Sequence, residues 1–257
     1  MTEHIYDTVL STPADGHPGV RVIALNRPDS LNAMNRRLID DVALAFDDAN
    51  ADPDTKVIVF TGEGRAFCAG DDRREHVHPD DEAAAREMVE AIQAATRAIT
   101  FGPKPVVGSI NGWAVGGGFE WAINCDFPIW GESARAFFPE LSLGVFVTGA
   151  VTSLLPALVG LRRAREMLFL GQRYDADALQ SYGVAWRVVP DETLMDEALA
   201  VASQLADLPQ QAVQLMKRAL NDTAVTDIER ALSIETDATV AGFLNPETTD
   251  RLLSFGS

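Results

Sequence analysis

The chain is short of positive charge: 21 lysines and arginines stand against 38 aspartates and glutamates, a net charge of −17. Affinity for a phosphate backbone needs clustered cations, so this balance argues against a broad nucleic-acid-binding face, though not against a small anion held by local groups. Cysteine is scarce too. Cys68 and Cys125 show neither metal-ligand spacing nor a disulfide framework, which suits a reducing compartment. His76 and His78 stand in a polar stretch and His4 and His17 near the start, and an H-x-H pair without a further ligand is weak as a metal signature, so no metal is expected. The first ten residues, MTEHIYDTVL, lack the basic and apolar segments of a signal peptide, and the expectation is a cytoplasmic protein. The longest uncharged run, 141–161, is interrupted by serine, threonine, glycine and proline and has no excess of basic flanks, so it reads as buried loop and helix rather than a membrane span. A phosphate loop and a G-x-S-x-G nucleophile elbow are both missing.

What is present suits one large domain, or a domain with an appendage: 257 residues, 47% of them hydrophobic. The pattern predicts a strand over 19–25, an amphipathic helix over 35–51 and a fully apolar strand over 56–60. A polar loop at 76–82 precedes a helix at 83–99. Strands follow at 105–110, 126–130 and 136–138, with a helix at 119–125 between the first two. Helical spacing returns over 151–170, and 183–189 looks like the last strand. From Leu194 onward everything reads helical. This alternation predicts an α/β core over 1–195 followed by a helical region over 196–257.

The chain is organised around 111–120, NGWAVGGGFE. Three glycines at a strand-to-helix junction permit close backbone approach and leave unpaired N–H groups at the positive end of a helix dipole, a setting suited to developing negative charge. Alone, the stretch reads first as a glycine-rich turn with Glu120 well placed in a first helical turn. A second glycine turn, AFCAGDD at 66–72, can present a backbone donor in the same way, and Glu140 lies among apolar neighbours, where a carboxylate has a function or a partner. Two donors and two glutamates could make an oxyanion site with an acid/base couple. Spacing alone does not show that they converge.

AFCAGDD at 66–72, NGWAVGGGFEWAINCD at 111–126 and PELSLG at 139–144 resemble the crotonase superfamily, in particular its enoyl-CoA hydratase-like members. VRVIALNRPDSLNAM at 20–34 and LGQRYDADALQSYGVAWRVVP at 170–190 match the same pattern. The resemblance implies a spiral of ββα repeats, with a C-terminal helical region that packs homotrimers, often paired into hexamers. It implies an acyl-CoA substrate whose enolate is held by two peptide N–H groups, here those of Asp71 and Gly117, with Glu120 and Glu140 positioning water and delivering a proton across a 2,3-double bond. One such donor is worth on the order of 3–4 kcal/mol of barrier. No separate cofactor is implied, since coenzyme A belongs to the substrate.

By the same resemblance, Ala66, Ala69, Gly70, Asp72 and Arg73 fall along the coenzyme A path, with Arg27 and Lys217 near its nucleotide. Each of the three cations equally suits a plain surface charge. Two departures stand out. Asp29 and Ser30 replace the basic residue often found after NRP. The usual glycine-rich segment after Glu140 is replaced by VTGAVTSLL at 147–155, with Thr148 where the family has a glycine whose amide helps hold the catalytic water. Phe138 and Phe146 add aromatic bulk there, which suggests an aryl or branched acyl group. Other reactions of the fold, isomerase, dehydratase, thioester hydrolase or lyase, remain alternatives. The charge and the absence of a basic stripe count against an RNA-binding role, and a scaffold has little need of the two glutamates.

Overall fold

The computed structural model describes residues 4–224 and 227–254. Its main sheet has seven strands in the order β1 (His4–Ile5), β2 (Val9–Pro13), β3 (Val20–Leu25), β4 (Val57–Gly62), β6 (Val106–Ile110), β8 (Phe127–Gly131) and β11 (Arg187–Val189). The strands from β3 to β11 run parallel, while β1 and β2 make an antiparallel edge. A second sheet has the order β10 (Tyr174–Asp175), β9 (Arg135–Phe137), β7 (Trp113–Val115), β5 (Ala66–Cys68).

The central strands are covered on both faces, which is why they read as unbroken apolar runs. Along β4, Val57 and Val59 face one core and Ile58 and Phe60 the other, the period-two alternation of a strand. The first core is closed by Leu194, Ala198, Val201 and Ala202 of helix α8 (Leu194–Ala206). The second and larger core includes Leu38, Val42 and Phe46 of α1 (Arg36–Ala51) and Phe119 and Trp121 of α3 (Gly117–Asn124). Side chains cap the helix starts where the sequence offers them: Asn35 accepts from the Leu38 amide at 2.9 Å, and Asp81 from Ala84 at 2.9 Å, opening α2 (Glu82–Thr100).

Three successive units share one plan: a strand of the large sheet, a strand of the small sheet, then a helix. They are β4–β5–α2, β6–β7–α3 and β8–β9–α4, the last helix being Glu140–Leu143. This is the expected spiral of ββα repeats. The 151–170 helical stretch divides at Gly160, whose φ of 76° ends α5 (Val151–Val159) before α6 (Leu161–Leu170). The 183–189 strand is confined to Arg187–Val189, and α7 (Ala176–Ser181) precedes it. The uncharged 141–161 run is divided between α4, an irregular segment and α5, and no described helix is long and apolar enough to cross a membrane.

Beyond α8 come α9 (Gln210–Ala224), α10 (Ile228–Phe243) and α11 (Pro246–Ser254). Helix α10 packs on α2, where Gln93 Nε2 donates to the Leu232 carbonyl at 2.9 Å, while α11 packs on α10 and α4. The region after 195 therefore supplies α8 to the sheet, and α10 and α11 border a cleft through Thr239, Phe243 and Leu252.

Candidate active site

Strand β7 ends at Val115, Gly116 follows with a left-handed φ of 52°, and α3 starts at the next residue. A Cβ at position 116 would sit 2.5 Å from Glu140 Oε1, so only glycine lets this backbone pass the carboxylate. The Gly116 N–H donates to the Phe137 carbonyl at 3.1 Å, across the β7–β9 pair, and its carbonyl accepts from the Glu120 amide at 2.9 Å. Gly117 is the first residue of α3, so its N–H lacks an intrahelical acceptor.

The 66–72 turn approaches from β5. Met34 clamps it on either side of Asp71, donating its N–H to the Gly70 carbonyl at 2.7 Å and accepting from the Asp72 amide at 3.0 Å. The Asp71 N–H is thereby turned away from Met34, with no backbone acceptor among the described residues. Gly70, Asp71, Gly116, Gly117, Glu120 and Glu140 all border one cleft of about 760 Å³, including the solvent at its mouth. The fold has brought together both glycine turns and both glutamates.

Both carboxylates are nearly removed from water, with Glu120 2% exposed and Glu140 7%. Burial pushes Glu120 well above the ordinary carboxylate range, and the neighbouring charges of Glu140 and Glu235 add to that effect. Thr148 opposes it: its N–H lies 3.2 Å from both Glu120 oxygens and its hydroxyl donates to Oε2 at 3.0 Å. Burial raises Glu140 to about 8, and its Oε2 has no hydrogen-bond partner. The cleft thus holds two buried acids that burial pushes toward their protonated forms, and of the two Glu120 is the one whose anion Thr148 supplies with donors.

Apolar side chains make most of the remaining wall, among them Ile92, Val145, Phe146, Phe243 and Leu252. Of the two aromatics singled out in the sequence, Phe146 faces the cleft. Phe138 lies behind it, with its ring centroid 4.6 Å from that of Phe119. Ala69, Asp71 and Arg73 border the cleft and also an adjoining depression shared with Asp72, Arg65 and Arg74. Arg27 is engaged beneath that turn, pairing with Asp72 at 2.8 Å and Glu75 at 2.9 Å.

Two of the residues singled out by resemblance have other places. Ala66 is fully buried in β5, its carbonyl accepting from the Asn32 amide at 2.8 Å, one layer behind the wall. Lys217 is buried on α9, where its ammonium donates to the Ile99 and Lys104 carbonyls at 3.0 Å each and to Asp126 at 2.8 Å. Within this chain that ammonium serves the packing of α9, away from the cleft. No group of three or more His, Cys, Asp or Glu among the described residues could hold a metal ion.

Sequence reasoning missed Glu235 of α10, which is completely buried. A signal existed: helical spacing places it on the same stripe as Ile228, Leu232 and Thr239, all buried, and a lone acid on such a stripe calls for a partner.

Comparison with known proteins agrees with this geometry. A model of the Enoyl-CoA hydratase/isomerase family matches residues 15–249. A crotonyl-CoA hydratase of Syntrophomonas wolfei subsp. wolfei is 34% identical over 235 residues, 91% of this chain and 90% of that protein. A mevalonyl-coenzyme A hydratase of Beauveria bassiana is 36% identical over 215 residues, 79% of this chain and 74% of that one. The crystal structure of an enoyl-CoA hydratase from Mycobacterium avium subsp. paratuberculosis K-10 superposes with a TM-score of 0.88 at 28% identity, covering 98% of this chain and 100% of that one.

Proposed function

We propose, for a chain that belongs to the enoyl-CoA hydratase/isomerase family, that it adds water across the 2,3-double bond of a 2-enoyl-CoA thioester. The observation that carries this reading is the meeting of Glu120 and Glu140, both buried, with the Gly117 and Asp71 amides in one cleft. The thioester carbonyl would lie between those two N–H groups, which stabilise the oxyanion as charge develops on it. Glu120, its anion favoured by Thr148, takes a proton from water as the oxygen attacks C3; Glu140, still protonated, delivers its proton to C2 as the enolate collapses. One water is consumed, its oxygen and one hydrogen going to C3; the proton that Glu120 has taken up then returns to the ionised Glu140 through solvent, which restores the starting state.

An apolar acyl group suits the wall of Ile92, Val145, Phe146 and Phe243. The two hydratases above carry different acyl names, so kinship at this level leaves the acyl group open. Coenzyme A would run out past Ala69 and Arg73 toward the depression holding Arg65 and Arg74, where cations suit its phosphates. A homotrimer or a hexamer is supported by the outward apolar face of α9, where Leu215, Met216 and Leu220 are each more than half exposed. A cytoplasmic setting is supported by Cys68 and Cys125, both buried and unpaired. Double-bond isomerisation is the second reading, favoured by the unpartnered Glu140 Oε2, since a single carboxyl could move a proton between C2 and C4. Identifying the product formed from a 2-enoyl-CoA separates the two: a 3-hydroxyacyl thioester for hydration, a shifted double bond for isomerisation.

A further inference from the structure

The turn that holds Glu120 is itself held from the C-terminal region. Glu235 Oε2 accepts the Ala150 amide at 2.7 Å, and its Oε1 accepts both the amide and the hydroxyl of Thr152, at 2.8 and 2.7 Å. Ala150 precedes α5 with a φ of 60°, a left-handed conformation that costs a residue with a Cβ and persists only where its surroundings fix it. Glu235 supplies one such constraint. The Asn124 amide supplies another from the end of α3, donating to the Gly149 carbonyl at 2.9 Å. Thr148 lies in the same turn and points its amide and hydroxyl at Glu120.

We propose that Glu235 is a positioning residue for Glu120, anchoring from α10 the 147–152 turn whose Thr148 orients that carboxylate. The inference rests on the reading of Glu120 as an acid/base group. A neutral residue could cap α5 equally well, yet a carboxylate stands here in full burial, accepting three donors and no cation among the described residues. Helix α5 contains no charged residue. Arg86 and Arg97 of α2 pair with Asp237 and Glu229 of α10 near the surface, Glu82, Glu87 and Glu90 of α2 are exposed, and Glu247, Asp250 and Arg251 of α11 are exposed. The carboxyl that feels the charge of Glu235 is Glu120, whose proton affinity it raises. Burial brings Glu235 itself up to about 7, so that charge changes close to neutrality.

The test compares the full-length wild type with Glu235→Gln, recording hydration of a 2-enoyl-CoA across pH together with the carboxyl-stretch titration of Glu120, identified by its loss in Glu120→Gln. We expect kcat to fall on the order of 10²-fold with KM nearly unchanged. Gln keeps a carbonyl oxygen for the Thr152 donors, so Thr148 stays within reach of Glu120, and the Glu120 titration and the limb of the rate profile it controls should both move to lower pH, because a negative neighbour has gone. A titration and profile that superpose on those of the wild type would make Glu235 a helix cap alone and overturn the proposal. Should Glu235→Gln fail to fold, Thr152→Val removes one donor to Glu235 and weakens its anion. A smaller fall in kcat with a downward shift of the same titration then supports the proposal, and an unmoved titration overturns it. A wild type that hydrates no enoyl thioester contradicts the functional reading instead, while the titration still decides the role of Glu235.

Discussion

Thr148 meets the Glu120 carboxylate with two donors at once, its amide at 3.2 Å and its hydroxyl at 3.0 Å. In this chain the position gains a side-chain donor that a glycine would lack, so the VTGA segment changes how Glu120 is tuned. Thr148→Val keeps the shape and the amide but deletes the hydroxyl. A hydrogen bond to a charged group contributes roughly 1.5–3 kcal/mol, so kcat/KM should fall about 10- to 100-fold. Both donors favour the Glu120 anion, so its limb of the pH–rate profile should move to higher pH, the opposite direction from Glu235→Gln.

The two adjacent glycines should differ in tolerance. A Cβ at Gly116 would strike Glu140 Oε1 at 2.5 Å with a left-handed backbone, whereas one at Gly117 would meet the end of the flexible Met34 side chain, Sδ at 2.8 Å. Gly116→Ala should therefore cost on the order of 10²-fold in kcat by displacing Glu140, and Gly117→Ala much less. Steady-state kinetics on both variants, with melting curves to confirm folding, checks the ranking.

Stability should fall as pH rises. Glu140 binds its proton more tightly in the folded chain, at about 8, than at the ordinary value of 4.5. Its contribution is therefore fully present below about 4.5 and is lost as pH climbs through 8. Glu140→Gln should melt several degrees above the wild type at pH above 8, and the gap should close in acid. Thermal melts of both proteins across this window check the sign.

The exposed apolar face of α9 gives a separate expectation. Met216, 61% exposed between Leu215 and Leu220, should be covered by another copy of the chain. Light scattering should find a mass of three or six chains for the wild type and a single chain for Met216→Glu.

Much of this arrangement was legible beforehand, for physical reasons. Strands Val57–Gly62 and Val106–Ile110 announce themselves because burial on both faces leaves no polar alternation. Glu120 and Glu140 stood out because each sits in a short motif whose glycine or proline fixes the local backbone. Their convergence was not legible, since it depends on β7 pairing with β9, which brings the start of α3 against the start of α4. The break at Gly160 was hidden by helical spacing on both sides of it. Lys217 could not be placed from sequence because a long cation suits a phosphate and a carboxylate such as Asp126 equally well. Glu235 went unseen because its partners, Ala150 and Thr152, offer donors that only the fold sets against α10.

The most direct test follows the 2-enoyl absorbance of crotonyl-CoA and of a cinnamoyl-type thioester with wild type, Glu120→Gln and Glu140→Gln side by side. The account predicts that the wild type forms the 3-hydroxyacyl thioester from at least one of them and that kcat collapses by orders of magnitude in both variants, with the thioester still bound. A wild type that only shifts the double bond, or a variant that hydrates at the wild-type rate, would contradict it.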